Sequence, residues 1–524
     1  MHKIFLIPEL VHPIVHFLTG DDSEETRDFS DGGSDLLCDM HWTVYMNVTS
    51  LGLASRVFRR ACLDAIWERQ TSLVPLLRSI PGLLKKERYQ FHLQRGISQE
   101  DIVQIMTYSS RIRWLGDAPR IDNVSVLLDS LPPSTTLFPN LRYLSLSNRT
   151  NKDLQTLVTK SSGPAFTGLR VYSIIFHIPD LIRDLQPQII FLSIQALGHF
   201  SSSSNLWTAL LDSARHLRRL DVCVAGMSWP EWQTAAQLPV LTMVDIQGHW
   251  ILPLSFPSVD IVTFTTLTTL KITAFDLFRL VIPLQHSSFP ALQHLRCTSD
   301  AFGVESVHSY LHLLTKAVIS SCSPTHLTEL YLGMPFDSHS SHYRQFPATI
   351  PVDCLSPLLQ LSRLRSLHID FAIRWELDDE CVLKMARAWP DIAFLSLNPN
   401  KRWAESEANR VTLHGLLPLV TSCPYLEELG IPLAVSQPIP LEQLIAVEQH
   451  AHPLRRLSVS GSPLPPSAIE TVGRYLARLF PQIKSLSAQD PQKDYMPAED
   501  VNDPVTVEHW KNVFEVVRSV REAT

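Results

Sequence analysis

The sequence predicts an α/β solenoid in which short parallel strands line a concave face, with a small all-α bundle ahead of them. Three observations carry this reading. A phrase of the form Leu-x-x-Leu-x-Leu, with Ile, Val or another small apolar residue allowed for Leu, recurs from residue 141 to residue 488. Proline repeatedly stands two residues before the phrase. Apolar residues at helical spacing precede the repeats and follow them.

The clearest copies are Leu141-Arg-Tyr-Leu144-Ser-Leu146, Leu217-Arg-Arg-Leu220-Asp-Val222, Leu241-Thr-Met-Val244-Asp-Ile246 and Leu267-Thr-Thr-Leu270-Lys-Ile272. Others start at Leu292, Leu327, Leu364, Ile392, Leu426, Leu454 and Ile483, with weaker ones at Leu169 and Ile189. The 342 residues from Leu141 to Ile483 hold twelve intervals, a mean of about 28, which is the period of a leucine-rich-repeat solenoid. Alternation at the fourth and sixth positions puts two apolar side chains on one face of a strand. A lone repeat cannot cover them, so neighbours must stack around a shared core. About 13 strands at ~4.8 Å would make a sheet about 60 Å long. Pro139, Pro187, Pro239, Pro290, Pro390, Pro424 and Pro481 mark the approach to the strand, a position where a missing N–H is tolerated. A half copy, Ile112-Arg-Trp-Leu115, is the expected opening repeat.

The repeats are irregular. Intervals run from 20 to 37 residues, and only Asn400 occupies the place where an asparagine usually follows the strand. Asp337–Tyr343, Asn398–Asn409 and Ser201–Ser204 read as polar repeat loops.

Composition adds exclusions. A net charge of −7 over 524 residues argues against a general nucleic-acid binder. The eight cysteines form no C-x-x-C pair and read as reduced thiols. No apolar run is long enough to span a membrane, and Pro8, Glu9, His12 and Pro13 interrupt the only stretch resembling a signal peptide. Cytoplasmic or nuclear localisation is expected.

Before the repeats, Ile7-Pro8-Glu9-Leu10 leads to Ile14 and Leu18, an apolar i, i+4, i+8 stripe with Pro and Glu suited to a helix start. Thr49-Ser50 offers a cap for a second helix carrying Leu51, Leu53, Val57 and Phe58. A third runs through Cys62, Leu63, Ile66 and Trp67 towards Leu73-Val74-Pro75-Leu76-Leu77. This segment resembles an F-box, and the stretch with Ala65-Ile66-Trp67-Glu68-Arg69 is similar to a large family of fungal F-box proteins. It departs from that pattern at Pro13, which falls inside the first helix, and at the long gap from Thr19 to Asn47. Asp21, Asp22, Glu24, Glu25, Asp28, Asp31 and Asp35 make that gap acidic, and a disordered insertion about 19–35 is expected. Its spacing matches no EF-hand. The resulting division is an F-box over 1–81, repeats over 82–488, and a polar connection with a capping helix over 489–524.

The resemblance implies a substrate-recognition subunit of a Skp–cullin–F-box ubiquitin ligase. It implies adaptor contact or internal packing for Pro8, Leu10, Ile14, Leu18, Val57 and Trp67, and it requires no cofactor. The other reading is a repeat scaffold that binds a protein without any ligase.

No catalytic constellation emerges. Nucleotide-binding glycine motifs and G-x-S-x-G are absent, and His12-Pro-Ile-Val-His16 lacks the glutamate of a zinc protease. Glu376, Asp378, Asp379 and Glu380 read as a helix start, and Trp229-Pro-Glu-Trp232 as packing between repeats. Trp510, Val513, Phe514, Val517 and Val520 form one helical stripe, the expected cap of the last repeat. Third and fifth positions of the phrase should face outward. The densest group of polar and aromatic candidates there is Lys271, His294, Arg296, Glu329 and Tyr331, the expected substrate-binding residues.

Overall fold

The computed structural model describes residues 11, 48–87, 90–116, 121–122, 129, 131–132, 135–147, 151–161, 163–172, 189–195, 214–223, 229–248, 261–299, 307–333, 349–371, 374–397, 410–435, 452–459, 462–488 and 504–523. The chain divides into two compact units, residues 1–220 and 221–524.

In the first unit the strands are β1 (Arg69–Gln70), β2 (Trp114–Leu115), β3 (Tyr143–Ser147), β4 (Gly168–Tyr172) and β5 (Phe191–Gln195), each paired in parallel with the next. β6 (Arg219–Cys223) straddles the boundary. The second unit carries β7 (Met243–Gln247), β8 (Thr269–Ala274), β9 (His294–Ser299), β10 (Glu329–Gly333), β11 (Ser366–Asp370), β12 (Phe394–Leu397), β13 (Glu428–Gly430), β14 (Arg456–Ser458) and β15 (Ser485–Ser487). These too pair in parallel, in chain order.

The phrase accounts for both core and register. Its first, fourth and sixth positions are buried in copy after copy, as at Leu141, Leu144 and Leu146 or Leu364, Leu367 and Ile369. The second position also has a fixed role. Its carbonyl accepts two N–H groups from the next repeat: Thr268 O from Gln293 and His294 at 2.8 and 3.0 Å, and Thr328 O from Arg365 and Ser366 at 2.7 and 3.0 Å. Both lone pairs are thereby used, and each strand is locked to its neighbour.

Three sequence expectations need correction. The copy placed at Leu169 begins three residues earlier, at buried Phe166, because Leu144 pairs with Leu169 and Leu146 with Val171. Thr49 and Ser50 lie within helical residues 48–54 instead of capping them. The prolines serve a turn and do not begin the strand. In Phe289-Pro290-Ala291-Leu292 the Leu292 N–H donates to Phe289 O at 3.4 Å, and in Trp389-Pro390-Asp391-Ile392 the Ile392 N–H donates to Trp389 O at 3.2 Å. Proline occupies the second turn position, where its fixed φ is an advantage. The residue before it is pushed out of the helical region, which stops the helices Asp379–Ala388, Leu417–Ser422 and Ile469–Leu479 at Trp389, Cys423 and Phe480. All three of those residues are fully buried. Where proline falls one residue late, at Pro453, buried His452 substitutes for the turn. Its Nδ1 accepts the Leu454 N–H at 3.3 Å, and Nε2 lies 3.0 Å from Cys423 O, to which it donates.

The half copy at Ile112 forms β2 as expected, and β1 precedes it. The hidden repeat reads Trp67-Glu-Arg-Gln70-Thr-Ser72, with polar residues at its fourth and sixth positions. Both are buried with partners: Gln70 Nε2 donates to Ile66 O at 2.6 Å, and Ser72 Oγ accepts the Val74 N–H at 3.2 Å. Ahead of it, helical residues 48–54 and the helix Arg59–Glu68 enclose a cluster of Val11, Val48, Phe58, Ala61 and Cys62.

Helices lie on the other side of the strands. Asp276 Oδ1 caps Leu277–Gln285 and Asp378 Oδ1 caps Asp379–Ala388, each through an N–H three residues on, at 2.9 and 2.8 Å. Asp378, Asp379 and Glu380 are thus a helix start, whereas Glu376 belongs to the short strand Arg374–Glu376; Asp379 also accepts from the N–H and hydroxyl of Thr412, both at 2.7 Å. Trp232 is buried against Phe264 and Phe289, and its Nε1 donates to Ser287 Oγ at 2.8 Å. The seven described cysteines are free thiols, five of them buried. Among the described residues, no helix is long and apolar enough to cross a membrane.

The last helix, Pro504–Ala523, packs on Ile469–Leu479 with Trp510, Val513 and Val517 buried. Phe514 and Val520 are only half-buried, so the stripe is narrower than the sequence spacing suggests. The two helices approach closely at Gly473, where a Cβ would lie 2.6 Å from that of Val516. The polar connection, the acidic insertion and the three loops anticipated from sequence fall outside the described residues.

Candidate functional site

The outward face of the second unit is a grid of two rows. Strand register aligns Thr269, His294, Glu329, Ser366 and Phe394 in the third-position row, and Lys271, Arg296, Tyr331, His368 and Ser396 in the fifth. Alternation of burial along β8 confirms the geometry: Thr269, Lys271 and Thr273 are half-buried, and Leu270, Ile272 and Ala274 are buried.

Register brings all five sequence-selected residues together. His294 Nδ1 lies 2.9 Å from Glu329 Oε2 across β9 and β10. The Arg296 guanidinium sits over the Tyr331 ring, 4.5 Å from its centroid, a cation–π contact. Lys271 is in register with Arg296 on one side and with Asp245 on the other. The sequence reading did not single out two further members. His368 lies beside Tyr331, with ring centroids 6.3 Å apart, and Asp370 lies two residues beyond it. The signal for Asp370 was the seventh position of the phrase, one step past the last apolar residue.

Charges on this face are matched locally. The Glu329 carboxylate accepts the His294 proton, raising the imidazole above its ordinary 6.5 and holding Glu329 below its ordinary 4.5. Burial lowers His368 despite the nearby Asp370 and Glu329 carboxylates. Burial, with Asp370 alongside, pushes the Tyr331 hydroxyl up to about 12. Tyr331 is therefore a neutral donor at neutral pH. The pair is half-exposed, with side-chain exposures of 40% and 57%, so its contribution to stability is about 0.2–1 kcal/mol. The Glu329 share is present above pH 4.5 and fades as pH falls through its lowered value. The His294 share is full below 6.5 and fades as pH rises through its raised value. A proton titration followed by NMR should therefore place the His294 midpoint above 6.5 and the His368 midpoint below it. The reverse order would mean that the pairing is wrong.

Of the residues singled out by the F-box resemblance, Pro8, Leu10, Ile14 and Leu18 lie outside the described residues. Val57 is exposed, and Trp67 stacks on Tyr108 with centroids 4.8 Å apart. Asp64 pairs with Arg111, and Glu68 with Arg113 at 3.3 Å, tying the helix Arg59–Glu68 to the repeat of β2. Among the described residues, no group of three or more His, Cys, Asp or Glu side chains is placed to hold a metal ion.

No protein-family profile matches this chain, and no curated protein matches it. Among solved structures, the leucine-rich repeat-containing protein LegL7 from Legionella pneumophila aligns over 53% of this chain and 87% of its own, at 17% identity and a TM-score of 0.31. That likeness is too slight to support a conclusion about this chain.

Proposed function

We propose that the protein is a binding subunit. Its repeats hold a target protein on their outward face, and its N-terminal helices dock on a Skp-type adaptor of a cullin ubiquitin ligase in the cytoplasm or nucleus. The observation that carries the binding role is the two-row grid of mixed charge and aromatic character around Arg296 and Tyr331. Arginine and tyrosine anchors dominate protein interfaces, and unlike charges in one patch suit a protein better than a phosphate backbone. The ligase role is supported by the Ile7-Pro8-Glu9-Leu10 and Trp67 resemblance alone. In this reading the chain performs no catalysis and needs no cofactor; it concentrates a substrate beside the ligase.

Co-purification of the intact protein with a Skp-type adaptor is the decisive experiment, with Leu10→Asp as the partner variant. An unpaired charge at an apolar contact should abolish capture. Failure of the intact protein to capture adaptor, or undiminished capture by Leu10→Asp, would leave only the scaffold role. Because β1 belongs to the repeats, deletions meant to test the N-terminal helices should end well before Arg69.

A further inference from the structure

The outward face of the first unit carries a different row at the third position of the phrase: Arg69, Trp114, Tyr143, Gly168, Phe191 and Arg219. Trp114 and Tyr143 stack with centroids 5.8 Å apart and planes 2° from parallel. Tyr143 and Phe191 stack at 5.5 Å and 29°, across the intervening strand. Gly168 permits that contact, since a Cβ there would lie 2.7 Å from Tyr143 Cδ2 and 3.4 Å from Phe191 Cδ1. The Arg219 guanidinium covers Phe191, 5.1 Å from the ring centroid. All three rings are half-buried, so part of each reaches solvent.

Charge is divided unevenly along the chain. Residues 51–220 hold 21 Lys and Arg against 12 Asp and Glu, an excess of nine. Residues 221–524 hold 22 against 31, the same excess with opposite sign. Residues 1–50 add two Lys and Arg and nine Asp and Glu, so the first unit as a whole is positive by two. The overall charge of −7 conceals this.

We propose that this face binds an acidic protein segment in extended conformation, with carboxylates towards the two arginine ends and apolar side chains over the rings. The rings decide between this partner and single-stranded nucleic acid. Bases stack on open ring faces, whereas here neighbouring rings and Arg219 cover both faces of Tyr143 and Phe191 and one face of Trp114. Ring edges carry the positive side of the aromatic quadrupole and favour carboxylate and carbonyl oxygens. At ~4.8 Å per strand the row is about 24 Å long, which about seven extended residues span. This inference rests on the first unit alone and does not depend on the ligase reading.

The chain has its own acidic run between Asp21 and Asp35. The test therefore uses the intact protein and a full-length variant in which those seven acidic residues become Asn or Gln. Fluorescence anisotropy would compare a labelled peptide, Asp-Glu-Leu-Val-Pro-Leu-Glu-Asp, with its lysine-for-acid counterpart and a short oligothymidylate. The acidic peptide should bind at least the neutralised variant, weaken as salt rises, and lose about ten-fold in affinity with Arg69→Glu/Arg219→Glu. Circular dichroism would verify that this double variant folds. The proposal is overturned if neither full-length protein binds the acidic peptide, if the charge reversal changes nothing, or if the oligothymidylate or lysine peptide binds as tightly.

Discussion

Removal of Pro504–Ala523 should cause aggregation and a large fall in melting temperature. The helix buries Trp510, Val513 and Val517 completely against the end of the repeats. Three fully buried apolar side chains are worth ~1.5–3 kcal/mol each, and their sum is comparable to the ~5–15 kcal/mol stability of a whole domain. Hydrogen bonds would also go, from Trp510 Nε1 to Ser462 O at 2.8 Å, from His509 Nδ1 to Leu464 O at 2.8 Å and from Arg521 to Ile483 O at 2.7 Å. The exposed face of Ile469–Leu479 would then offer an unpartnered apolar surface, as uncapped repeat ends do. Light scattering and a thermal melt read the outcome. A truncated chain that remains monomeric and equally heat-stable would show that the helix is dispensable. Gly473→Val should reproduce a weaker form, costing ~1–3 kcal/mol by forcing the two helices apart.

Trp389→Ala should cost ~3–5 kcal/mol, among the largest effects of any single substitution in this chain. Trp389 ends the helix Asp379–Ala388, starts the Pro390 turn, and is fully buried. Its Nε1 donates to Leu358 O at 3.2 Å, so truncation leaves a cavity and removes one of the two hydrogen bonds that this carbonyl accepts, the other coming from the Leu361 N–H at 3.0 Å. Trp389→Phe should restore much of the packing but not the hydrogen bond. Urea denaturation with an unchanged m-value measures both, and Arg456→Ala on the outward face serves as the control, at ~0.5 kcal/mol or less. A Trp389→Ala midpoint close to that control would refute the role assigned to the turn.

These two sites also show where sequence reasoning succeeds and where it fails. The terminal stripe at Trp510, Val513 and Val517 was legible because helical period is a local property of the chain. Its width was not, because the close approach of Val516 to Gly473 on the neighbouring helix depends on tertiary packing. The prolines were visible as punctuation, but their role emerged only with the bond from Ile392 N–H to Trp389 O.

By itself the sequence determined the repeated strand, its buried first, fourth and sixth positions, and the row of residues left facing outward. Those follow from alternation over six residues, which any strand obeys whatever surrounds it. Only the tertiary structure decided which residues meet. His294 reaches Glu329, 35 residues away, because the whole intervening helix and loops are absorbed between two strands held in register. Gln70 and Ser72 occupy core positions that no hydrophobic pattern would reveal, since their burial is offset by hydrogen bonds to Ile66 and Val74. Tyr143 meets Phe191 only because Gly168, between them in space, has no side chain to hold them apart. Contacts of this kind depend on stacking order and on what a neighbour lacks, and a single repeat, read alone, contains neither.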